Sequence, residues 1–205
     1  MKLYYNAASP FSRKVRVFAR EAGLHPRVEE VLTAVSRSKV NTEYASINPL
    51  VKIPTLITED GMSIFDSAVI CEYLDCLHTG IKLFPPEGTK RWRHLRLQAT
   101  CDEILDSGNF FRFETVDRPE HRKDWAFALS EKMRGGLDLL EAEVGVLGGG
   151  PSIGSISTAC TLAWLDFRFG HQDWRVGRPK LAQWYPEFAA RPSMQNTPPS
   201  SPPKL

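Results

Sequence analysis

The sequence predicts a small α/β unit followed by an all-helical unit, and three observations carry that prediction. The first 78 residues alternate between strand-like and helix-like patterns. The stretch "HTGIKLFPPEG", residues 78–88, holds two prolines and two glycines without any periodic pattern, which reads as a linker. Beyond it, apolar residues recur at threes and fours, the spacing of amphipathic helices.

Taken in order, "KLYYN" places Leu3 and Tyr5 on one side of a short strand. Ser9 then stands before Pro10, whose missing N–H is harmless in the first turn of a helix. Val15, Phe18, Ala19 and Ala22 follow at helical spacing, and Gly23 closes the element. "RVEEVL" reads as a second strand, and the length of the crossover suggests parallel pairing with the first. Residues 36–50 are polar and irregular. Thr55 to Thr58 forms a strand, "EDG" at 59–61 a hairpin turn with Gly61 free to take a positive φ, and "MSIF" the returning strand. Asp66-Ser67 starts a helix with Ile70, Tyr73, Leu74 and Leu77 on one face. The order is βαβ-ββα over 1–78, with 79–88 as linker.

From 89 to 205 everything reads as helix. Residues 89–107 begin with Lys90, Arg91, Arg93 and Arg96, a solvated basic face. Residues 119–144 carry Trp125, Leu129, Met133, Leu137, Leu140 and Val144. Ser155 to Arg168 is apolar enough to sit at the centre of a bundle, and Leu181, Trp184, Tyr185 and Phe188 mark one more helix. The tail "RPSMQNTPPSSPPKL" ends in a proline- and serine-rich segment expected to be flexible.

Composition narrows the function classes. A formal charge of +2 in 205 residues argues against nucleic acid or a membrane surface as partner. No apolar run reaches the ~20 residues of a membrane span, and "MKLYYNAASP" has no apolar signal stretch, which points to the cytoplasm. Cys71, Cys76, Cys101 and Cys160 form no CxxC pair and no metal-like cluster with the five histidines. They read as reduced cysteines, mostly core filler.

Three pieces carry the chemistry: "SPFSRKVR" at 9–16, "KIPTL" at 52–56 and "DS" at 66–67. Each is weak alone. As an ordered set, with the helical second half and the late pieces "LDFRF" and "RPSM", the chain resembles the cytosolic glutathione transferases, in their serine-containing bacterial branch. The resemblance runs over nearly the whole chain. It implies a thioredoxin-like N-terminal domain, a helical-bundle C-terminal domain, a homodimer, and glutathione as co-substrate without a metal.

The residue roles it implies are physically reasonable. The Ile53-Pro54 bond is a candidate cis peptide, since proline lowers the cis penalty to ~0.5–1 kcal/mol. The backbone of Ile53 would pair with the glutathione peptide as an added strand does. Ser67, at a helix N-terminus, would hold the γ-glutamyl carboxylate and Asp66 would face the α-amino group, although an N-cap alone also explains the pair. Lys52 either touches the peptide or is a solvated lysine. Ser9 would donate a hydrogen bond to the glutathione sulfur and favour its thiolate, with Ser12 as the neighbouring candidate. Tyr4 and Tyr5 lie in the strand and read as core or rim. Arg13 and Lys14 read as solvated helix residues, with an added positive potential as the alternative.

The activity implied is addition of the glutathione thiolate to a hydrophobic electrophile, in detoxification. The second substrate would be lined by the 89–114 and 155–169 helices, where Phe110, Phe111 and Phe113 are either walls or core. Two alternatives remain at this point: a non-enzymatic relative that keeps the fold, and a glutathione-dependent thiol–disulfide oxidoreductase. A serine at position 9 weakens the latter, because it cannot form a mixed disulfide. One departure stands out. The family usually opens its central helix with Ser/Thr-x-x-Asp, whereas Ser155-Ile156-Ser157-Thr158 puts Thr158 in place of the acid.

Overall fold

The structure, a computed structural model, describes residues 1–36, 40–148 and 150–201. It divides into two units. One is Met1–Pro86 together with the segment from Ala190 onward; the other is Glu87–Ala189.

In the first unit, β1 (Lys2–Tyr5), α1 (Pro10–Glu21) and β2 (Glu29–Leu32) form a parallel crossover, with β1 and β2 paired in parallel. A short helix α2 (Thr42–Ala45) precedes β3 (Thr55–Ile57) and β4 (Ser63–Ile64), and α3 (Ser67–Cys76) follows. The sheet order is β2-β1-β3-β4, with β3 antiparallel to both of its neighbours. This is the thioredoxin-like βαβ-ββα arrangement expected from the sequence.

Local chemistry explains the boundaries. Helix α1 ends with Ala22 as cap and Gly23 at φ +70°. The Leu24 N–H reaches Ala19 O at 2.7 Å and the Gly23 N–H reaches Arg20 O at 3.1 Å, the two bonds of a Schellman motif. Gly61 sits in the β3–β4 turn at φ +89°, as expected. Helix α1 is held to β2 by Arg16 and Arg20, which share the Glu30 carboxylate at 2.9 and 3.0 Å.

The expected linker is mostly part of this unit. Asp75 accepts hydrogen bonds from the N–H groups of Leu83 (2.8 Å) and Phe84 (3.3 Å), and the Phe84 ring lies 5.7 Å from that of Phe18. The boundary therefore falls at Pro86 rather than after residue 78. The tail also departs from the expected 89–205 domain. A short helix α9 (Pro192–Gln195) packs on α1, and Ser193, Met194 and Thr197 are buried. The final residues expected to be flexible, 202–205, lie outside the described residues.

The second unit is helical throughout. α4 (Gly88–Arg112) continues into a wider helical turn, Phe113–Asp117. Then come α5 (Lys123–Ala142), α6 (Val144–Leu147), α7 (Ile153–Phe169) and α8 (Pro179–Ala189). Helix α7 is the core element, with every residue from Ile153 to Leu165 buried. It runs alongside α4 in the same direction. Cys101 Sγ is 3.7 Å from Thr158 Oγ1, and Gly154 and Gly108 let the backbones approach His94 and Trp164.

Helix α7 is capped at Ser152, three residues earlier than the Ser155 start expected from the sequence. The capping box is Ser152/Ser155: the Ser155 N–H donates to Ser152 Oγ (3.2 Å) and the Ser152 N–H to Ser155 Oγ (2.8 Å). Ser155, not Thr158, therefore holds the position of the family's acid. Thr158 lies one turn further in and donates to Gly154 O at 2.8 Å. Among the described residues no helix is long and apolar enough to cross a membrane.

Candidate functional site

The sheet pairing gathers the three sequence pieces. Tyr4 pairs with Thr55 and Leu56 with Ile64. The C-terminal end of β1, the N-terminal end of β3 and the C-terminal end of β4 therefore emerge from the same end of the sheet. Residues 6–9, 52–54 and 65–67 extend from those three ends.

Ser9 caps α1. Its Oγ accepts the Ser12 N–H at 3.2 Å, so its hydroxyl proton stays available to an acceptor outside the helix. Asn6 shapes the loop before it. The Ser9 N–H donates to Asn6 O (3.0 Å) and the Ala8 N–H to Asn6 Oδ1 (2.9 Å). Ser9 is half-buried, whereas Ser12 is fully buried beneath the loop, with Oγ 3.5 Å from the Asn6 N–H. Of the two hydroxyls, Ser9's is the one that faces out.

Arg13 and Lys14 are not solvated, contrary to the sequence expectation; they are 6% and 1% exposed. Arg13 Nη2 donates to Met194 O at 3.1 Å, because the returning tail covers this face of α1. The Lys14 ammonium lies 5.8 Å from the centre of the Phe11 ring. Tyr4 and Tyr5 are half-buried, at the rim as expected.

The Ile53-Pro54 peptide is cis. Among the described residues, no hydrogen bond within the protein takes up the N–H or C=O of Ile53. The segment before it is held firmly. Lys52 O accepts from Tyr44 Oη (2.9 Å), Asn48 Nδ2 (3.0 Å) and Thr55 Oγ1 (3.0 Å). Asn48 also accepts the Leu50 N–H on Oδ1 (2.9 Å) and the Val51 N–H on its carbonyl (2.9 Å). Val51 is forced to φ +51°, an unfavourable value for a β-branched residue that persists only where its surroundings over-determine it. Burial pushes the Tyr44 phenol up from its ordinary pKa, which keeps it a neutral donor. The Lys52 side chain itself is exposed.

Asp66 caps α3, its Oδ1 accepting the Ala68 N–H at 3.0 Å. Ser67 is buried at the first helical position, and among the described residues its hydroxyl has no hydrogen-bond partner. The helix N-terminus adds unpaired N–H groups and a positive dipole end, a ready place for a carboxylate.

Sequence reasoning missed Asn6, Tyr44, Asn48 and Thr55. The Asn48-Pro49 pair is a turn signal that could have marked the loop. The shared grip on Lys52 O exists only once β3 is in place. The expected wall residues Phe110, Phe111 and Phe113 are not core: Phe110 is exposed and the others half-buried. Of the cysteines, Cys71, Cys101 and Cys160 are buried and Cys76 is exposed, all as free thiols.

Comparison with known proteins gives a consistent result. The family model for the glutathione S-transferase N-terminal domain matches residues 8–77, and that for the C-terminal domain matches residues 123–185. The chain is 30% identical over 206 residues to the uncharacterized GST-like protein YibF of Escherichia coli (strain K12), covering 97% of this chain and 98% of that one. It is similar to a glutathione transferase family member from Pseudomonas fluorescens Pf-5 solved with bound glutathione: 39% identity, TM-score 0.94, covering 98% and 99% of the two chains. It is likewise similar to a structure from that organism with bound S-(propanoic acid)-glutathione, at 39% identity and TM-score 0.89, covering 98% and 100%.

Proposed function

This chain belongs to the glutathione S-transferase family, and from that premise we propose that it binds glutathione at the end of its sheet and transfers the glutathione thiolate to an electrophilic small molecule. The observation that carries the reading is the set of unclaimed polar groups at one sheet end: the Ser9 hydroxyl proton, the Ile53 N–H and C=O, and the Ser67 hydroxyl. A tripeptide with a thiol and a terminal carboxylate is complementary to that set. The bound glutathione of a relative supports it.

In this mechanism the glutathione backbone pairs with Ile53 in the manner of an added strand. Ser67 and the α3 N-terminus take the γ-glutamyl carboxylate, and Asp66 takes the α-amino group. Lys52 lies beside the peptide. The thiol, with an ordinary pKa of about 8.5, lies near the Ser9 hydroxyl and the α1 N-terminus. Both favour the anion, and each unit by which the thiol pKa falls is ~1.4 kcal/mol of preference for thiolate. Ser9 donates a hydrogen bond throughout and never loses its proton. The finer family features, a homodimer working in the cytoplasm in detoxification, belong to the same proposal.

The test is glutathione binding together with thiol ionisation, followed by ultraviolet absorbance, for the wild type, Ser9→Ala and Ser12→Ala. The proposal expects glutathione to bind and its thiol pKa to rise only in Ser9→Ala. An unchanged thiol pKa in Ser9→Ala removes the Ser9 assignment, and failure of the wild type to bind glutathione removes the function.

A further inference from the structure

The turn that presents Ser9 is held from both ends of the first unit. Residues 6–9 close on themselves: the Ser9 N–H donates to Asn6 O at 3.0 Å and the Ala8 N–H to Asn6 Oδ1 at 2.9 Å. These bonds satisfy the inside of the turn. The Ala7 carbonyl has to find a partner outside it, and the methyl groups of Ala7 and Ala8 give the turn little side-chain anchorage. That partner is the Ser200 N–H, at 3.4 Å, and among the described residues it is the only one.

The sequence of the tail singles out this donor. Thr197 is fully buried, and its Oγ1 donates to Ser193 O at 2.8 Å. The segment before it is fastened to α1 by Arg191 on Glu21 at 2.7 Å and by Arg13 Nη2 on Met194 O at 3.1 Å. Pro198 and Pro199 come next. Neither has an N–H, and each ring fixes φ at about −65°. Ser200 therefore carries the first main-chain donor after the buried anchor, at the end of a stiff step. Its hydroxyl has no hydrogen-bond partner among the described residues, so the contact belongs to the main chain.

We infer that the tail clasps the Ser9 turn through the Ser200 N–H, and that this clasp positions the Ser9 hydroxyl for the glutathione thiol. The second half of the inference rests on the thiolate-transfer reading above. Ser9 stands where turn meets helix. Its Oγ accepts the Ser12 N–H of the helix at 3.2 Å, and its own N–H belongs to the turn. With the Ala7 carbonyl released, the turn is free to move against the helix and to take the Ser9 hydroxyl with it. Hydrogen bonds weaken steeply as their geometry departs from linear. A displacement of about 1 Å at a reacting group can cost about a hundredfold in rate. Ser200 is thus a positioning residue, and no chemical step passes through it.

The test has two arms. Without glutathione, amide exchange at Ala8 and Ser9 is followed by nuclear magnetic resonance. Ser200→Pro removes the N–H in a segment already flanked by prolines, and exchange is expected to quicken about three- to tenfold, the scale of one net hydrogen bond. Ser200→Ala keeps the N–H and is expected to keep the wild-type rate, as is Ser201→Pro one residue further on. With glutathione bound, the thiolate fraction is read by ultraviolet absorbance below the wild-type thiol pKa. It is expected to fall about three- to tenfold in Ser200→Pro. The Kd for S-methylglutathione, which has no thiol, stays unchanged, whereas a general loosening of the unit would raise it. Unchanged exchange in Ser200→Pro, or an equal rise in Ser200→Ala or Ser201→Pro, overturns the clasp. Quickened exchange with an unchanged thiolate fraction overturns the positioning of Ser9. A wild type that binds no glutathione removes the transferase reading and the positioning with it, while the exchange arm still decides the clasp. Should Ser200→Pro fail to fold, a chain ending at Pro199 lacks the same N–H and carries the same outcomes.

Discussion

The Tyr44 hydroxyl lies 2.9 Å from the carbonyl oxygen of Lys52 and 2.8 Å from Thr55 Oγ1, which ties a four-residue helix to the residue that precedes Ile53. Tyr44→Phe removes this tie and leaves Asn48 and Thr55 still holding Lys52 O. A loss of about 1–2 kcal/mol in stability is expected, with weaker glutathione binding because Ile53 is less firmly presented. Denaturant unfolding and a glutathione titration measure the two effects separately.

Val51→Gly acts in the opposite direction. At φ +51° the valine is strained, and glycine adopts that conformation freely. Relief of the strain, less the entropy that glycine loses on folding, leaves a gain of about 1 kcal/mol. The expected readout is a raised Tm. A lowered Tm would show that the Val51 side chain has a packing role outweighing its backbone cost.

Ser9 holds two roles that substitution can separate. Ser9→Ala removes both the cap and the hydroxyl and costs about 1 kcal/mol of stability. Ser9→Gly keeps most of the capping preference, costing only a few tenths of a kcal/mol, yet also lacks the hydroxyl. Both variants are expected to lose ten- to hundredfold in kcat/KM, about 1.5–3 kcal/mol for a hydrogen bond to a charged group. Equal activity losses with unequal Tm values support the thiolate role. Activity that tracks Tm contradicts it.

Gly108→Ala is expected to destabilise the helical unit. The new methyl meets Trp164 at 2.8 Å, and that indole is almost fully buried. Overpacking of this kind costs about 1–3 kcal/mol, while better helix propensity returns about 1 kcal/mol. Calorimetry should show a lower Tm, and near-ultraviolet circular dichroism a displaced tryptophan.

Glu21 links the tail to pH. Arg191 Nε and Nη2 each lie 2.7 Å from its carboxylate, and Ser193 donates to it as well. Burial pushes the Glu21 pKa up, but the Arg191 and Ser193 hydrogen bonds outweigh it and leave it lowered. A lowered folded pKa means the stabilisation is fully present above the unfolded value, about 4.3, and is lost as pH falls through the folded value. Hydrogen exchange of residues 191–197, taken relative to the intrinsic rate at the same pH, should therefore accelerate as pH falls below the unfolded value. In Arg191→Ala it should be fast already at neutral pH.

Much of the fold was legible because its signals are local. Ser9-Pro10, Gly23, Gly61 and Asp66-Ser67 each work through their own backbone within a few residues. What was not legible depends on chain far away. Arg13 and Lys14 carry charges that read as solvated, and they are buried because residues 192–197 return to cover them. Leu83 and Phe84 looked like linker because their anchor, the Asp75 carboxylate, lies a turn and a bend upstream. The capping box lies three residues before the Ser155-x-x-Thr158 pattern, because the serines of that run are interchangeable as caps until the fold selects Ser152 and Ser155. At the candidate site the outward groups were readable, while Asn6, Tyr44 and Asn48, which support them from beneath, needed the folded sheet.

The return of the tail has a consequence for synthesis. Domains generally fold as units from the N-terminus as the ribosome extends the chain, at roughly 5–20 residues per second. Here the partners of Glu21 and Arg13 are Arg191, Ser193 and Met194, so residues 1–86 cannot make these contacts until all of the helical unit, Glu87–Ala189, has been translated. The nascent first unit waits with that face of α1 uncovered. Residues made after the helical unit close the unit made before it, and a ribosome that stops after Ala189 leaves that unit without its seal.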